Sequence, residues 1–408
     1  MRVAVVGGGL LGSVVALFAA ARGWDVELID ARSSLLSGAS CTNEGKVHLG
    51  PIFALGDSAT QEVMLRGALS FGPLLEDATG SAIDWGAMCS PAFDYIVMPS
   101  SLLEASELAV RYSSMNARFD SLYGELGCRY LGRNIDFLVD PEPREDPSTG
   151  LGMFASTERA VDPVALCALL TAQIAATPRI ATRLSRRVHS LENGRSGVDV
   201  SWQGSDGGQD SDRYDFAVNC TWESQLTLSP DAGPGGRNFR VKTAVRLPRG
   251  AGERAVTLAQ GPFGDVVSHH DYTYVSWYPD ARLTNEFGAA PSADAFRLLN
   301  RVSARDGDDA EAVGWRADLA RRQIAALQRL RLLPDSVDRG ELIGGIIVGH
   351  GARDIDQLES QLHNRAEFGT HVAGRLITPR NFKLTTAPLA ALRAIDAIDT
   401  AVAGTVLV

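Results

Sequence analysis

Lysine is nearly absent from this chain. Of 39 basic residues only Lys46, Lys242 and Lys383 are lysine, and all the others are arginine. Arginine is effectively always charged, whereas lysine is a compact charge whose pKa moves on burial. These three positions are therefore marked for a role arginine does not fill, with codon bias as the plain alternative. Cysteine is scarce as well. Cys41, Cys89, Cys128, Cys167 and Cys220 are scattered and odd in number, with no C-x-x-C pair. That pattern argues against a disulfide framework and a zinc site, so no metal and a reducing, cytoplasmic setting are expected. Acidic residues outnumber basic ones by 49 to 39, for a net charge of −10, which argues against nucleic acid or an anionic membrane as partner. Long apolar runs are missing too. The stretch Leu10 to Ala21 falls short of the roughly 20 residues a spanning helix needs, and the chain opens in a strand with no basic leader of the signal-peptide kind. No Ser/His/Asp or Cys/His arrangement is legible, and no carboxylate pair stands out.

What is present begins at residue 1. Met1 to Val6 is a short apolar run of the kind that forms a buried strand. Gly7-Gly8-Gly9-Leu10-Leu11-Gly12 follows and fits G-x-G-x-x-G, then an alanine-rich helical run to Arg22-Gly23, then a second strand, Asp25 to Ile29, that delivers Asp30. Gly7 allows the tight turn, Gly9 lets backbone approach a pyrophosphate, and Gly12 lets helix and strand pack closely. The helix N-terminus offers free N–H groups and a partial positive charge to the phosphates, and Asp30 is placed to accept from ribose hydroxyls. Strand, turn, helix, strand and acid in this order predict a bound adenine dinucleotide, NAD or FAD.

At 408 residues with 45% apolar composition, two domains are expected. The pattern predicts helices around Ala59 to Glu76 and Leu102 to Tyr123, with a strand at Phe93 to Met98 between them. Asp162 and Pro163 read as N-cap and first residue of another helix. Strands at Arg187 to Leu191, Val198 to Trp202 and Tyr214 to Asn219, the last two joined across a Gly204 to Asp212 loop, suggest a β-meander and a further parallel strand. After a linker at 230–236 the chain turns strand-rich, at Phe239 to Leu247, Ala255 to Ala259, Asp265 to Ser268 and Tyr272 to Tyr278, which suits an antiparallel sheet in a second domain. Helices are expected from Ala293 to Leu333, a last strand from Glu341 to Val348, and a terminal helix opened by Thr385-Thr-Ala-Pro388 with Thr385 or Thr386 as cap. The positive pole of that helix and the charge of Lys383 would suit the edge of a reduced flavin.

Gly38-Ala-Ser40, Asn43, Gly45 and His48, read with the first motif, Val161-Asp-Pro163, Val218-Asn-Cys-Thr-Trp222 and Lys383-Leu-Thr-Thr-Ala-Pro388, resemble the FAD-dependent oxidoreductases of the D-amino-acid oxidase superfamily, which includes glycine and sarcosine oxidases and 2-hydroxyglutarate dehydrogenases. The resemblance implies a two-domain α/β flavoprotein: a discontinuous Rossmann-like FAD domain (1–80, 148–230, 338–408) and a mostly antiparallel α+β substrate or lid domain (81–147, 231–337). It implies FAD held by Gly7, Gly9, Leu10, Leu11, Gly12, Asp30, Ala31, Arg32, Ser40, Asn43, Glu44, Gly45, Lys46, Val188, Cys220, Thr221, Trp222, Lys383, Leu384, Thr385 and Thr386. His48 is the first candidate for substrate contact, since an imidazole takes up a proton near neutral pH. Lys46, two residues earlier in a predicted strand, shares its face; Lys242 is a weaker candidate of the same kind.

The expected reaction moves a hydride to flavin N5 from a small molecule's C–H that bears an amine or hydroxyl group. A nicotinamide-dependent dehydrogenase and a non-catalytic FAD-binding subunit are the alternatives. The sequence departs from the amino-acid oxidase pattern in lacking an Arg-Pro-rich stretch between Leu333 and Gly351. Arg375 and Arg380 are left as candidates for binding an anionic group. His269-His270-Asp271 reads as a surface turn, Phe263, Trp277 and Tyr278 as sheet-face or pocket aromatics, and Asp354 to Arg365 as a solvated connection.

Overall fold

The computed structural model describes residues 1–408 other than 234, 304–308, 366, 382 and 407–408. Its first sheet has the strand order Ile180–Arg183, Asp25–Ile29, Arg2–Val6, Phe216–Asn219, Leu376–Arg380, Gly369–Ala373. The first five run parallel, and Gly369–Ala373 runs antiparallel at the edge. Both faces of its central strands are covered, which is why Arg2–Val6 reads as a nearly continuous apolar run. Val3, Val5, Val26, Leu28 and Val218 face a core shared with helices Leu10–Ala21, Pro163–Ala176 and Ala387–Val406. Their neighbours Ala4, Val6, Ile29 and Ala217 face Val198, Val200, Trp202 and Tyr214 of the three-stranded meander on the other side, as the period of two requires. Asp162 caps Pro163–Ala176 as expected: its Oδ1 accepts from Val164 N and Ala165 N at 2.8 and 3.2 Å.

The second sheet runs Glu286–Gly288, Arg237–Pro248, Tyr272–Trp277, Gly264–Ser268, Ala255–Ala259, Phe93–Val97, Gly152–Ala155, Arg144–Glu145, with Glu341–Gly349 paired along Arg237–Pro248. Val245, Leu247, Val256, Leu258, Val266 and Val275 form its core with Leu319, Ile324 and Leu327 of helix Ala310–Arg329. Gly152–Ala155 and Glu341–Gly349 lie beyond the boundaries drawn at 148 and 338, yet they pair with Phe93–Val97 and Arg237–Pro248 in this second sheet. Among the described residues no helix is long and apolar enough to cross a membrane.

Three expected elements differ. Gln209–Tyr214, read mostly as loop, is the third strand of the meander; its residues are largely exposed, so no apolar alternation marks it. The run Tyr214 to Asn219 breaks at Asp215, whose carboxylate accepts from Arg2 N at 2.8 Å, and only Phe216–Asn219 enters the first sheet. The helices expected from Ala293 to Leu333 are present as Ala293–Ser303 and Ala310–Arg329. Glu341–Gly349 is not the last strand, because Gly369–Ala373 and Leu376–Arg380 follow. Pro379 within the second of these hid it, since proline speaks against a strand interior.

Candidate active site

A cavity of about 820 Å³ runs between the two sheets. Its outer end is the glycine turn. A Cβ at Gly7, where φ is +103°, would lie 2.5 Å from Cys220 O, and one at Gly12 would lie 1.8 Å from Gly7 O. The turn therefore tolerates no side chain at either position, and the strand and helix meet as the motif predicts. Asp30 lines this end, but its carboxylate already works within the protein: Oδ2 accepts from Gly8 N at 2.6 Å and Oδ1 from Arg32 N at 2.7 Å. Val188 reaches the cavity beside a register shift in its strand.

The next wall is the Gly38 to Gly45 segment. Ser40 Oγ accepts from Leu10 N at 2.9 Å, so it closes one free N–H at the start of the first helix. Asn43 folds the segment on itself: Nδ2 donates to Ala39 O and Ser40 O at 2.8 and 2.9 Å, and Oδ1 accepts from Gly45 N at 2.7 Å. Gly45 has φ +76°, and a Cβ there would meet Val161 O at 1.9 Å. The chain can thus turn directly into strand Lys46–Val47 and deliver Lys46 and His48 to the inner end.

All three lysines converge there. Lys46 is 3% exposed; its Nζ lies 3.0 Å from Asp265 Oδ1, donates to Thr257 Oγ1, and sits 4.2 Å from the centre of the Phe93 ring. Burial works against charge on Asp265, but Lys46 and Lys242 hold its carboxyl well below the usual range. Glu44 is likewise lowered against burial by Lys242, Lys383 and Lys46. Lys383 is pushed down to about 7 by burial and by Arg365, with Glu44 opposing.

His48 is 3% exposed and meets Phe53 edge-on at 5.1 Å. The same ring has Lys383 Nζ and Arg365 Cζ each 5.6 Å from its centre. Burial and Lys383 lower the pKa of His48 while Glu158 raises it, and the net direction is down. A neutral imidazole is the resting form at neutral pH. Behind it Glu158 is fully buried: Oε2 accepts from Leu49 N and Gly50 N at 2.6 and 3.3 Å, and Oε1 accepts from Tyr95 OH and faces His48 Nδ1 at 3.6 Å.

The family model described as FAD dependent oxidoreductase matches residues 2–339. The chain belongs to that family. Among solved structures it is similar to glycine oxidase from Geobacillus kaustophilus, at 15% identity over 98% of this chain and 95% of that one, with a TM-score of 0.64. It is also similar to NikD, an unusual amino acid oxidase essential for nikkomycin biosynthesis (16%, 97% and 92%, 0.61), and to iminodiacetate oxidase from Chelativorans sp. BNC1 (14%, 97% and 93%, 0.60). Comparison of the sequence with curated proteins gives no match. The protein is an FAD-dependent enzyme, and its cavity fits the cofactor. The glycine cradle excludes Cβ atoms at one end, Asp30 and Arg32 flank it, and the volume lies in the upper part of the about 300–1,000 Å³ range of ligand pockets.

Of the residues expected to hold FAD, Gly7, Gly9, Leu10, Leu11, Asp30, Ala31, Arg32, Ser40, Asn43, Glu44, Lys46, Val188, Cys220, Thr221, Trp222, Lys383 and Leu384 line the cavity, as does His48. Gly12, Gly45, Thr385 and Thr386 do not. The glycines pack backbone on backbone. The threonines are braces rather than helix caps: Thr385 Oγ1 accepts from His48 N at 2.8 Å and donates to Lys46 O at 3.3 Å, and Thr386 Oγ1 donates to Asn381 Oδ1. Arg375 is turned away, stacked on Phe216 and donating to Asp215 O at 3.2 Å. Arg380 lies beside Arg237 and His350 rather than at Phe53.

Two other readings are corrected. His269 is not in a surface turn but 6% exposed against Tyr272, while His270 is exposed and paired with Asp271 at 2.7 Å. Asp354, His363 and Arg365 are buried, so their tract is not a solvated connection. Phe263 and Trp277 pack on each other at 6.4 Å in the second core. Glu158, Arg365 and the Ile343 to Val348 wall were not among the site residues expected from the sequence. For the wall a signal existed: glycine inside a strand marks close backbone approach, and a Cβ at Gly345 would lie 2.9 Å from Thr42 Oγ1.

Proposed function

We propose that this enzyme oxidises a small anionic molecule at a carbon bearing an amine or hydroxyl group, with His48 accepting the heteroatom's proton. The observation that carries this is that His48 and Lys383, which both line the cavity, meet on one Phe53 ring behind it, with Arg365 against the same ring. When bound, FAD supplies the hydride acceptor, its N5. The chain supplies the rest. Gly7 to Leu11, Ser40 and Asn43 are suited to hold the cofactor's phosphates and sugar chain, and Lys383 to attract a carboxylate or comparable anion, with Arg365 adding positive charge behind it. His48, kept neutral by burial, can take the proton as the C–H electron pair leaves.

The test is the absorption spectrum of the purified protein before and after anaerobic addition of carboxylate-bearing amines and hydroxy acids, each beside its neutral amide or ester. Bleaching of a flavin band by an acid and not by its neutral counterpart is expected. Bleaching by the neutral forms alone would overturn the anionic donor.

The charge on Lys383 adds a pH signature. Lys383 faces Arg365, Lys242, Arg240 and Glu44, and with its pKa near 7 it is charged below and neutral above that value. KM for an acid donor is expected to rise several-fold between about pH 6 and 8, and to be high and flat in Lys383→Met. A pH-dependent rise that persists in the variant would assign it elsewhere.

A further inference from the structure

We propose that Glu158 is a positioning residue that holds His48 with Nδ1 protonated, leaving Nε2 as the proton acceptor on the cavity side. The inference rests on the reading of His48 as acceptor and adds to it a buried carboxylate that does not line the cavity.

Three observations support it. Glu158 divides its two oxygens between two tasks: Oε2 accepts from the backbone N–H groups of Leu49 and Gly50, while Oε1 faces Tyr95 OH and His48 Nδ1. An uncharged side chain could serve the backbone task alone, so the charge is needed only on the histidine side. Burial opposes that charge, but His48, Lys46 and Tyr95 hold the carboxyl below its usual range. Nδ1 of His48 is fully buried with no hydrogen-bond partner among the described residues, and the carboxylate at 3.6 Å is the acceptor facing it. Such contacts often tighten only in the loaded enzyme. Finally, His48 lines the cavity, so with Nδ1 turned to Glu158 the ring nitrogen left for the donor is Nε2. A carboxylate behind an imidazole both selects that tautomer and stabilises the imidazolium formed when the heteroatom's proton arrives, as the buried aspartate does behind the histidine of serine proteases.

Glu158→Gln separates positioning from support. Its amide oxygen can keep the Leu49 and Gly50 bonds, because the opposite orientation would set N–H against N–H. The NH2 group then faces His48 and forces Nδ1 to accept, which places the proton on Nε2. The experiment is nitrogen NMR of histidine-labelled holoenzyme, with the His48 signals assigned by their loss in His48→Ala. The Nδ1–H tautomer is expected in the wild type and Nε2–H in Glu158→Gln, with flavin reduction by a donor from the panel slowed about 100-fold at saturation and KM little changed. Glu158→Asp should restore the Nδ1–H tautomer. An Nε2–H tautomer in the wild-type protein would overturn the proposal without any variant, and so would an unchanged tautomer in Glu158→Gln. A flipped tautomer with undiminished reduction would uphold Glu158 as the positioning residue and overturn His48 as acceptor.

Discussion

His48→Ala is expected to yield a protein that retains FAD but whose flavin is reduced by its donor about 100- to 10,000-fold more slowly, the range a positioned acid–base group contributes. Retention of the cofactor follows from the way the segment is held. Thr385 Oγ1 bonds the backbone N of His48, and Glu158 bonds the N–H groups of Leu49 and Gly50, so the strand's course does not depend on the imidazole. The pH profile gives an independent check. His48 is active as a base only when neutral, and burial and Lys383 place its folded pKa below the ordinary histidine value, with Lys46 adding to the shift and Glu158 opposing it. The reduction rate should therefore climb with pH through a value below about 6.5 and then level off, and this acidic limb should vanish in the variant. Rapid-mixing reduction across pH, with extraction of the bound flavin, measures both. A colourless variant would make His48 a structural residue. A yellow variant with unchanged rates would remove it from the chemistry.

The distribution of what was legible in the sequence follows the range of the interactions. The first strand, turn, helix and second strand were readable because each residue's role is set by neighbours within a few positions: Gly7 by its own positive φ, Gly12 by the turn just before it, Asp162 by the helix it caps. Asn43 and Gly45 belong to the same class. Glu158 does not. Its partners are His48, Leu49, Gly50 and Tyr95, which come from other parts of the chain, and nothing near Glu158 in sequence marks it as a buried carboxylate. Gln209–Tyr214 was missed for the complementary reason that a meander strand with one open face needs few apolar residues. Thr385 and Thr386 show how a local signal misleads. Both are good helix-capping residues at a helix start, but the Lys46 to His48 strand and Asn381 compete for their hydroxyls and win. The three lysines lie close together although no sequence motif joins them. Lys46, Lys242 and Lys383 act on the same two carboxylates, Glu44 and Asp265, or on each other, at the inner end of the cavity.

The pairing of Lys46 with Asp265 carries the largest expected effect on stability. It joins the Lys46–Val47 strand to the second sheet, with the side chains of Lys46 and Asp265 only 2% and 13% exposed. Removing one partner of a buried pair leaves an uncompensated charge and typically costs about 3–5 kcal/mol. Lys46→Met is expected to lower the urea midpoint of the holoenzyme accordingly at pH 7. The double variant Lys46→Met/Asp265→Leu should recover most of the loss, because an apolar pair of similar volume removes both desolvation penalties. The sign of the pH dependence distinguishes this from lost packing. In the wild type the folded carboxyl of Asp265 is depressed by Lys46 and Lys242 despite burial, so its contribution is present above about pH 4, the unfolded value, and is lost as pH falls through the folded pKa. Without Lys46 only Lys242 and the Thr257 hydroxyl oppose burial, so that pKa rises and the variant loses less stability than the wild type as pH falls. The gap between wild type and Lys46→Met should therefore narrow as pH falls through the carboxylate range, around and below about 4. A gap of constant size would mean that Lys46 contributes through its packing on Phe93 and not through its charge.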